Sequence, residues 1–249
     1  MIKVGIIGGS GLDDPKMLNG ARQVKVETPF GNPSSALMYG RFNGAEVVMV
    51  ARHGKKHQYS PSQVNYRANI HALKEQGVTH ILATTACGSL REDIGRGDFV
   101  ILDQFIDLTR LRKSTFFDSF EHGARHTSMA EPFNGDLRRL LYETATQLSL
   151  KVHERGTVVT IEGPRFSSRA ESNMFRMWGA DVINMSIATE VILANEIELP
   201  YAAVAMSTDY DCWKEDEAPV TWEDILEIFK KNASNVEKLL LNTIPKITK

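Results

Sequence analysis

Asp209 and Asp211 stand two residues apart in Ser207-Thr208-Asp209-Tyr210-Asp211-Cys212-Trp213, directly after the apolar run 200–206. The run reads as a buried strand. Strand side chains alternate with period two, so extended geometry carried past Met206 turns both carboxylates to one side of the sheet edge. Like charges in one small volume do not both ionise cheaply; one tends to keep its proton near neutral pH and becomes a candidate general acid beside an ionised acceptor. Such a pair suits a base that offers both donors and acceptors. Taken alone, the doublet is equally compatible with a solvated turn that caps the strand.

Three further stretches carry chemistry suited to an anion. The strand pattern at 3–7 runs into Gly8-Gly9-Ser10-Gly11-Leu12, where exposed N–H groups and the Ser10 hydroxyl can cradle a phosphate oxygen or form a tight turn. The loop continues into Leu12-Asp13-Asp14-Pro15 without the third glycine of G-x-G-x-x-G, which ranks a dinucleotide site low. Arg52-His53-Gly54-Lys55-Lys56-His57 gathers cations at a strand end, with Arg52 as a fork for phosphate and His53 as a further donor; a solvated basic loop is the alternative. Zinc is disfavoured there, because His53 and His57 lack the helix and the intervening Glu of a metalloprotease motif. Thr84-Thr85-Ala86-Cys87-Gly88-Ser89 reads as a second small-residue loop after a strand. Together with Arg52, the two loops suggest one anion site in the crevice of an open α/β sheet, although small residues at strand ends also simply permit close packing.

The elements that must position these residues follow from patterning. The chain has 249 residues, 42% hydrophobic and 24% charged, with ample material for a core and no linker or repeat, so one domain over 1–249 is expected. A net charge of -2 advertises neither nucleic acid nor a membrane surface, and no apolar stretch is long enough to span a bilayer; a cytoplasmic protein is expected. Cys87 and Cys212 read as free thiols outside any metal-ligand spacing. Consecutive hairpin strands are expected at 24–26, 36–39 and 47–51, then a helix over 63–76 closed by Gly77 and a strand at 80–83. The segment 103–133 lacks clear periodicity, which marks it as functional or mobile. A helix carrying Leu137, Leu141 and Ala145 follows, then strands at 156–161 and 181–185. A helix capped by Ser167 or Ser168, a short helix at 190–198 and a C-terminal helix carrying Trp222, Ile225, Leu226 and Phe229 complete the αβ alternation.

With these residues in view, the chain resembles the methylthioadenosine phosphorylase family of the trimeric purine nucleoside phosphorylase superfamily. The likeness rests on Gly5-Ile6-Ile7-Gly8-Gly9-Ser10-Gly11, Ala51-Arg52-His53-Gly54, Thr84-Thr85-Ala86-Cys87-Gly88-Ser89 and Met129-Ala130-Glu131-Pro132-Phe133. It continues through Thr160-Ile161-Glu162-Gly163-Pro164-Arg165-Phe166-Ser167-Ser168-Arg169-Ala170-Glu171-Ser172 to Thr208-Asp209-Tyr210-Asp211-Cys212-Trp213. The resemblance implies a single-domain mixed β-sheet flanked by helices, a homotrimer, and no metal or organic cofactor, inorganic phosphate being a substrate. It implies phosphate contacts from Ser10, Arg52, His53, Thr85, the Ala86 amide and Ser186. Phe166 is placed beside the purine, Met185 against the ribose, and Ser167 and Asp209 facing the base; His126 reaches in from a neighbouring subunit. Trp222, Ile225 and Leu226 fall in an apolar pocket for the 5′ substituent. The implied reaction is phosphorolysis of methylthioadenosine, with Asp209 as general acid to purine N7 and Asp211 recognising the 6-amino group. A methylthioinosine or general purine nucleoside phosphorylase is the same-class alternative, disfavoured by a carboxylate facing O6, and a non-catalytic nucleoside-binding or dinucleotide-binding protein is the alternative of another class.

Overall fold

The computed structural model describes residues 2–8, 18–121, 123–217 and 221–247, and gives the backbone alone at 222 and 224. The strands are β1 (Lys3–Gly8), β2 (Asn19–Val24), β3 (Leu37–Phe42), β4 (Ala45–Ala51), β5 (His80–Ser89), β6 (Phe99–Ile101), β7 (Gln104–Asp107), β8 (Val152–His153), β9 (Thr157–Thr160), β10 (Val182–Asn184) and β11 (Tyr201–Asp209). The helices are α1 (Tyr66–Glu75), α2 (Gly135–Gln147), α3 (Arg169–Met177), α4 (Ile187–Glu196) and α5 (Trp222–Thr243). This is the expected mixed sheet flanked by helices. β1 lies parallel between β4 and β5, while the meander β2-β3-β4 turns antiparallel.

β5 organises the sheet because three strands share it. Its first half runs parallel to β1 on one edge and to β11 on the other, and its far end pairs antiparallel with β10 through Val182 opposite Ser89. Both faces are buried. Along β11, Tyr201, Ala203 and Ala205 belong to one core cluster, with Ile70 and Leu73 of α1 and Val191 of α4; Ala202, Val204 and Met206 belong to the other, with Leu137 of α2 and Leu239 of α5. That period-two division explains why the strand reads as a continuous apolar run.

Local chemistry sets the helix ends. Asn65 and Asn134 accept from the amides of Ala68 and Leu137 to start α1 and α2, and Ser168 with Glu171 forms a capping box on α3. Of the two serines considered for that cap, Ser168 fills it and leaves Ser167 for the cavity. The β3–β4 hairpin turns on Asn43 and Gly44, both at positive φ, as a two-residue Asn-Gly turn prefers.

Four expectations are corrected. The first hairpin strand lies at Asn19–Val24, not 24–26, because a polar, exposed edge strand shows no apolar alternation. The segment 84–89 is no loop: small side chains let it continue as strand with β11 and β10 packed on it. The helix expected at 190–198 starts at Ile187, and part of 103–133 is ordered as β7. No described helix is long and apolar enough to cross a membrane.

Leu82 is fully buried in the first half of β5, between Ile6 of β1 and Ala202 of β11, where neighbours on both sides limit collapse into a void. Leu82→Ala is expected to lower unfolding stability by about 2–5 kcal/mol, read from the midpoint of a urea melt at unchanged slope. A loss well under 1 kcal/mol would show that β5 is not the rigid centre of the sheet.

Candidate active site

A cavity of about 770 Å³ opens beyond the ends of β4, β5, β9, β10 and β11. Asp209 and Asp211 line one part of it, and Arg52, His53, Thr85, Ala86 and Ser186 line another. Phe166, Ser167 and Met185 also face it, and Ile225, Leu226 and Phe229 of α5 supply apolar wall.

The carboxylates reach the cavity by a different path from simple alternation. β11 slips register against β5 between Ser207, opposite Cys87, and Asp209, opposite Gly88. The extra residue, Thr208, makes a bulge that re-aims Asp209, and the chain then turns through Asp211 at a left-handed φ of 51°. The Asp211 amide donates to Asp209 Oδ1 at 2.8 Å, and the Thr208 hydroxyl to Oδ2 at 2.7 Å. Asp tolerates this conformation better than most residues, so the turn suits its sequence.

Asp209 is 6% exposed, and its pKa is pushed up to about 6. Burial is the main cause; the neighbouring Asp211 charge adds less, and the two hydrogen bonds to Asp209 oppose both. The direction of the shift is the one anticipated from the doublet, with desolvation rather than mutual repulsion as its chief origin. Burial also raises Asp211, offset in part by the nearby Ser172 and Ser167 hydroxyls. Those hydroxyls approach without completing hydrogen bonds: Asp211 Oδ2, Ser167 Oγ and Ser172 Oγ are all buried and unpartnered. Unpaired buried polar atoms are costly, and of these three residues Asp211 and Ser167 line the cavity while Ser172 lies behind them, fully buried.

At the other end, Arg52 is almost wholly enclosed. Its Nη2 donates to Glu190 Oε2 at 2.9 Å and its Nε to Oε1, while Nη1 donates to the Thr84 carbonyl at 2.8 Å. Burial works against the guanidinium charge, but Glu190 outweighs it. Tyr201 donates its hydroxyl to Glu190 Oε2 at 2.8 Å. His53 Nδ1 lies 2.9 Å from the Tyr59 carbonyl oxygen, and burial, then Arg52, lower its pKa to about 4. Thr85 Oγ1 accepts from Asn184 Nδ2 at 3.3 Å, and Asn184 Oδ1 accepts from Thr160 at 2.8 Å. Ser186 stands at the N-terminus of α4 with its hydroxyl unused as a cap, where the helix amides favour an anion.

Two expected contributors lie outside the described residues: Ser10, and the side chain of Trp222. His126 is exposed and away from this cavity, edge-on to Phe120 at 5.5 Å between ring centroids. Among the described residues, no group of three or more His, Cys, Asp or Glu could hold a metal ion. Sequence reasoning missed Glu190, Asn184 and Thr208. A charge inside the apolar stretch Ile187-Ala188-Thr189-Glu190-Val191-Ile192-Leu193-Ala194 was a signal for the first; the other two are ordinary polar residues until the fold brings them to Thr85 and Asp209.

The raised Asp209 has a linkage consequence. The folded protein binds this proton more tightly than the unfolded chain, whose carboxyl has the ordinary value near 3.8, so the group costs stability as pH rises through about 6. Asp209→Asn removes that cost. The variant is expected to match the wild type near pH 4 and to exceed it by about 2 kcal/mol at pH 8, in paired denaturant melts. Equal stability at pH 8 would contradict the assigned burial of charge.

Residues 3–245 match the family model described as the phosphorylase superfamily. Proteins named S-methyl-5'-thioadenosine phosphorylase from Danio rerio and Xenopus tropicalis are 56% and 55% identical, each over 99% of this chain and 89% of the relative. The solved methylthioadenosine phosphorylase from Schistosoma mansoni in complex with adenine superposes with a TM-score of 0.94 at 44% identity, over 99% of this chain and 92% of that one. A variant of the Schistosoma mansoni adenosine/methylthioadenosine phosphorylase in complex with methylthioadenosine gives 0.91 at 44% identity, over 99% and 91%. On the match along nearly all its length, joined to a cavity with a carboxylate of raised pKa in one part and an anion-suited corner in another, the chain belongs to the phosphorylase superfamily.

Proposed function

We propose that this protein catalyses phosphorolysis of S-methyl-5'-thioadenosine to adenine and 5-methylthioribose 1-phosphate. The observation that carries the reading is a single cavity lined by buried Asp209, its pKa near 6, and by Arg52, Thr85 and Ser186. The activity named for the relatives supports the same choice of substrate.

In the proposed step, a phosphate oxygen forms the new bond to C1′ while the C1′–N9 bond breaks and its electron pair moves into the purine. Asp209 delivers its proton to N7, which discharges the leaving base. Phosphate is both countercharge to the developing ribosyl cation and nucleophile; Arg52, His53, Thr85, the Ala86 amide, Ser186 and Ser10 are its holders. Asp211 Oδ2 and Ser167 Oγ, buried and unpartnered, face the 6-amino group, whose donors a 6-oxo base lacks. Phe166 covers the purine and Met185 the ribose, and Ile225, Leu226 and Trp222 take the methylthio group. His126 belongs to a homotrimer, in which it reaches the nucleoside of a neighbouring subunit. The scheme calls for no metal or organic cofactor, no nucleic acid and no membrane, and it suits a cytoplasmic enzyme.

Product release from methylthioadenosine, adenosine and methylthioinosine, each with and without inorganic phosphate, tests the assignment. Phosphate-dependent adenine release, fastest from methylthioadenosine, is expected; preferential hypoxanthine release would overturn the role of Asp211, and phosphate-independent release would make the reaction a hydrolysis. Asp209→Asn is expected to lower kcat by about 100-fold to 10,000-fold. Because the acid must be protonated, kcat/KM is expected to fall above pH 6, and a flat profile to pH 8.5 would remove Asp209 as the acid.

A further inference from the structure

The Arg52 end of the cavity carries less net charge than its residue types suggest. Three of the five Arg52 N–H donors are committed, two of them to Glu190, which matches its charge and leaves two N–H groups for a ligand. Arg112, the other cation that acts on His53, lies along Glu162 with Nε 3.3 Å from Oε1. His57 stacks on His53 at 4.6 Å and is itself lowered by burial, while Lys55 and Lys56 are exposed on the turn between them. The corner is built to recognise an anion by hydrogen bonds more than by surplus positive charge.

His53 fixes the sense of one of those bonds. A carbonyl oxygen only accepts, so the 2.9 Å contact with Tyr59 places a proton on Nδ1. With its pKa held near 4 by burial and by Arg52, the ring carries no second proton at neutral pH. Nε2 then presents a bare lone pair. No described residue hydrogen-bonds it, and the ring lines the cavity. A lone pair repels an oxyanion oxygen unless that oxygen carries hydrogen. Phosphate and arsenate keep at least one hydroxyl at neutral pH, whereas sulfate has none.

Resting on the phosphorolytic reading, we propose that His53 Nε2 accepts a hydrogen bond from the hydroxyl of a protonated tetrahedral oxyanion, and so selects phosphate or arsenate against sulfate. The two spare Arg52 donors and the Ser186 hydroxyl then serve the unprotonated oxygens. His53 acts as a specificity-determining acceptor, and no proton leaves the phosphate in binding.

Sodium phosphate, arsenate and sulfate, titrated separately into the protein at pH 7.5 and constant ionic strength, test this through the melting-temperature shift. Phosphate and arsenate are expected to bind within a few-fold of one another, and sulfate at least about tenfold more weakly, as expected when a buried hydrogen-bonding group loses its partner. In His53→Gln, whose amide can turn either N–H or C=O to the ligand, the gap is expected to close to about threefold or less. Sulfate binding within threefold of phosphate in the wild type, or an unchanged gap in the variant, would overturn the proposal. The wild-type ratio decides even if the variant folds poorly. Adenine release measured in parallel separates the two readings. Absent turnover with the anion order intact removes phosphorolysis and leaves His53 as assigned; turnover with sulfate bound as tightly as phosphate does the reverse.

Discussion

A Cβ on Gly88 would sit 2.8 Å from Asp209 Oδ1 and 3.0 Å from Ile183 Cγ2, and much of the structure depends on that place being empty. β5 is held by β1 and β11 and, at this end, by β10, so its side chains must be small where the partners converge. Thr84, Thr85, Ala86, Cys87, Gly88 and Ser89 meet that demand. The same smallness admits Asp209 to a buried position and leaves room above the strand ends for a ligand. Packing and chemistry here impose one requirement on one residue.

Burial then does most of the electrostatic work. Desolvation raises the pKa of Asp209 and lowers that of His53, opposite outcomes from one cause because one group is an acid and the other a base. Arg52 escapes the same penalty chiefly through Glu190. The cavity is therefore defined less by net charge than by which atoms carry hydrogen, which accords with a chain of net charge -2.

This division explains what the sequence made legible. The apolar run before Asp209, the Asn and Ser caps and the Asn43-Gly44 turn encode their elements locally, so strand, helices and hairpin could be read directly. Tertiary partners decided the rest. Residues 84–89 resemble a loop until β11 and β10 are packed on them, and β2 is an exposed edge strand without an apolar face. Asp211 lines the cavity, but not by the geometry expected of it, since a bulge and a left-handed turn replace the assumed extended chain. Glu190 was hidden for a simpler reason: its meaning lies in Arg52, 138 residues away in sequence.

That pair also ties the frame to the site. Arg52 follows β4, Glu190 sits in the first turn of α4, and Tyr201 begins β11, so one buried carboxylate joins three elements. Taking both charges out of water costs free energy that hydrophobic residues of similar volume would not, while removing one partner alone typically costs about 3–5 kcal/mol. A merely structural role is weakly served by such a pair. A corner that must hold a guanidinium at a fixed angle, with two N–H groups uncommitted and its charge already balanced, is served well. The unpartnered atoms of Asp211, Ser167 and Ser172 add a cost of the same kind, since polar groups kept dry without partners oppose folding. The frame around β5 must therefore be stable enough to carry both costs, which is why the chain buries both faces of its central strands.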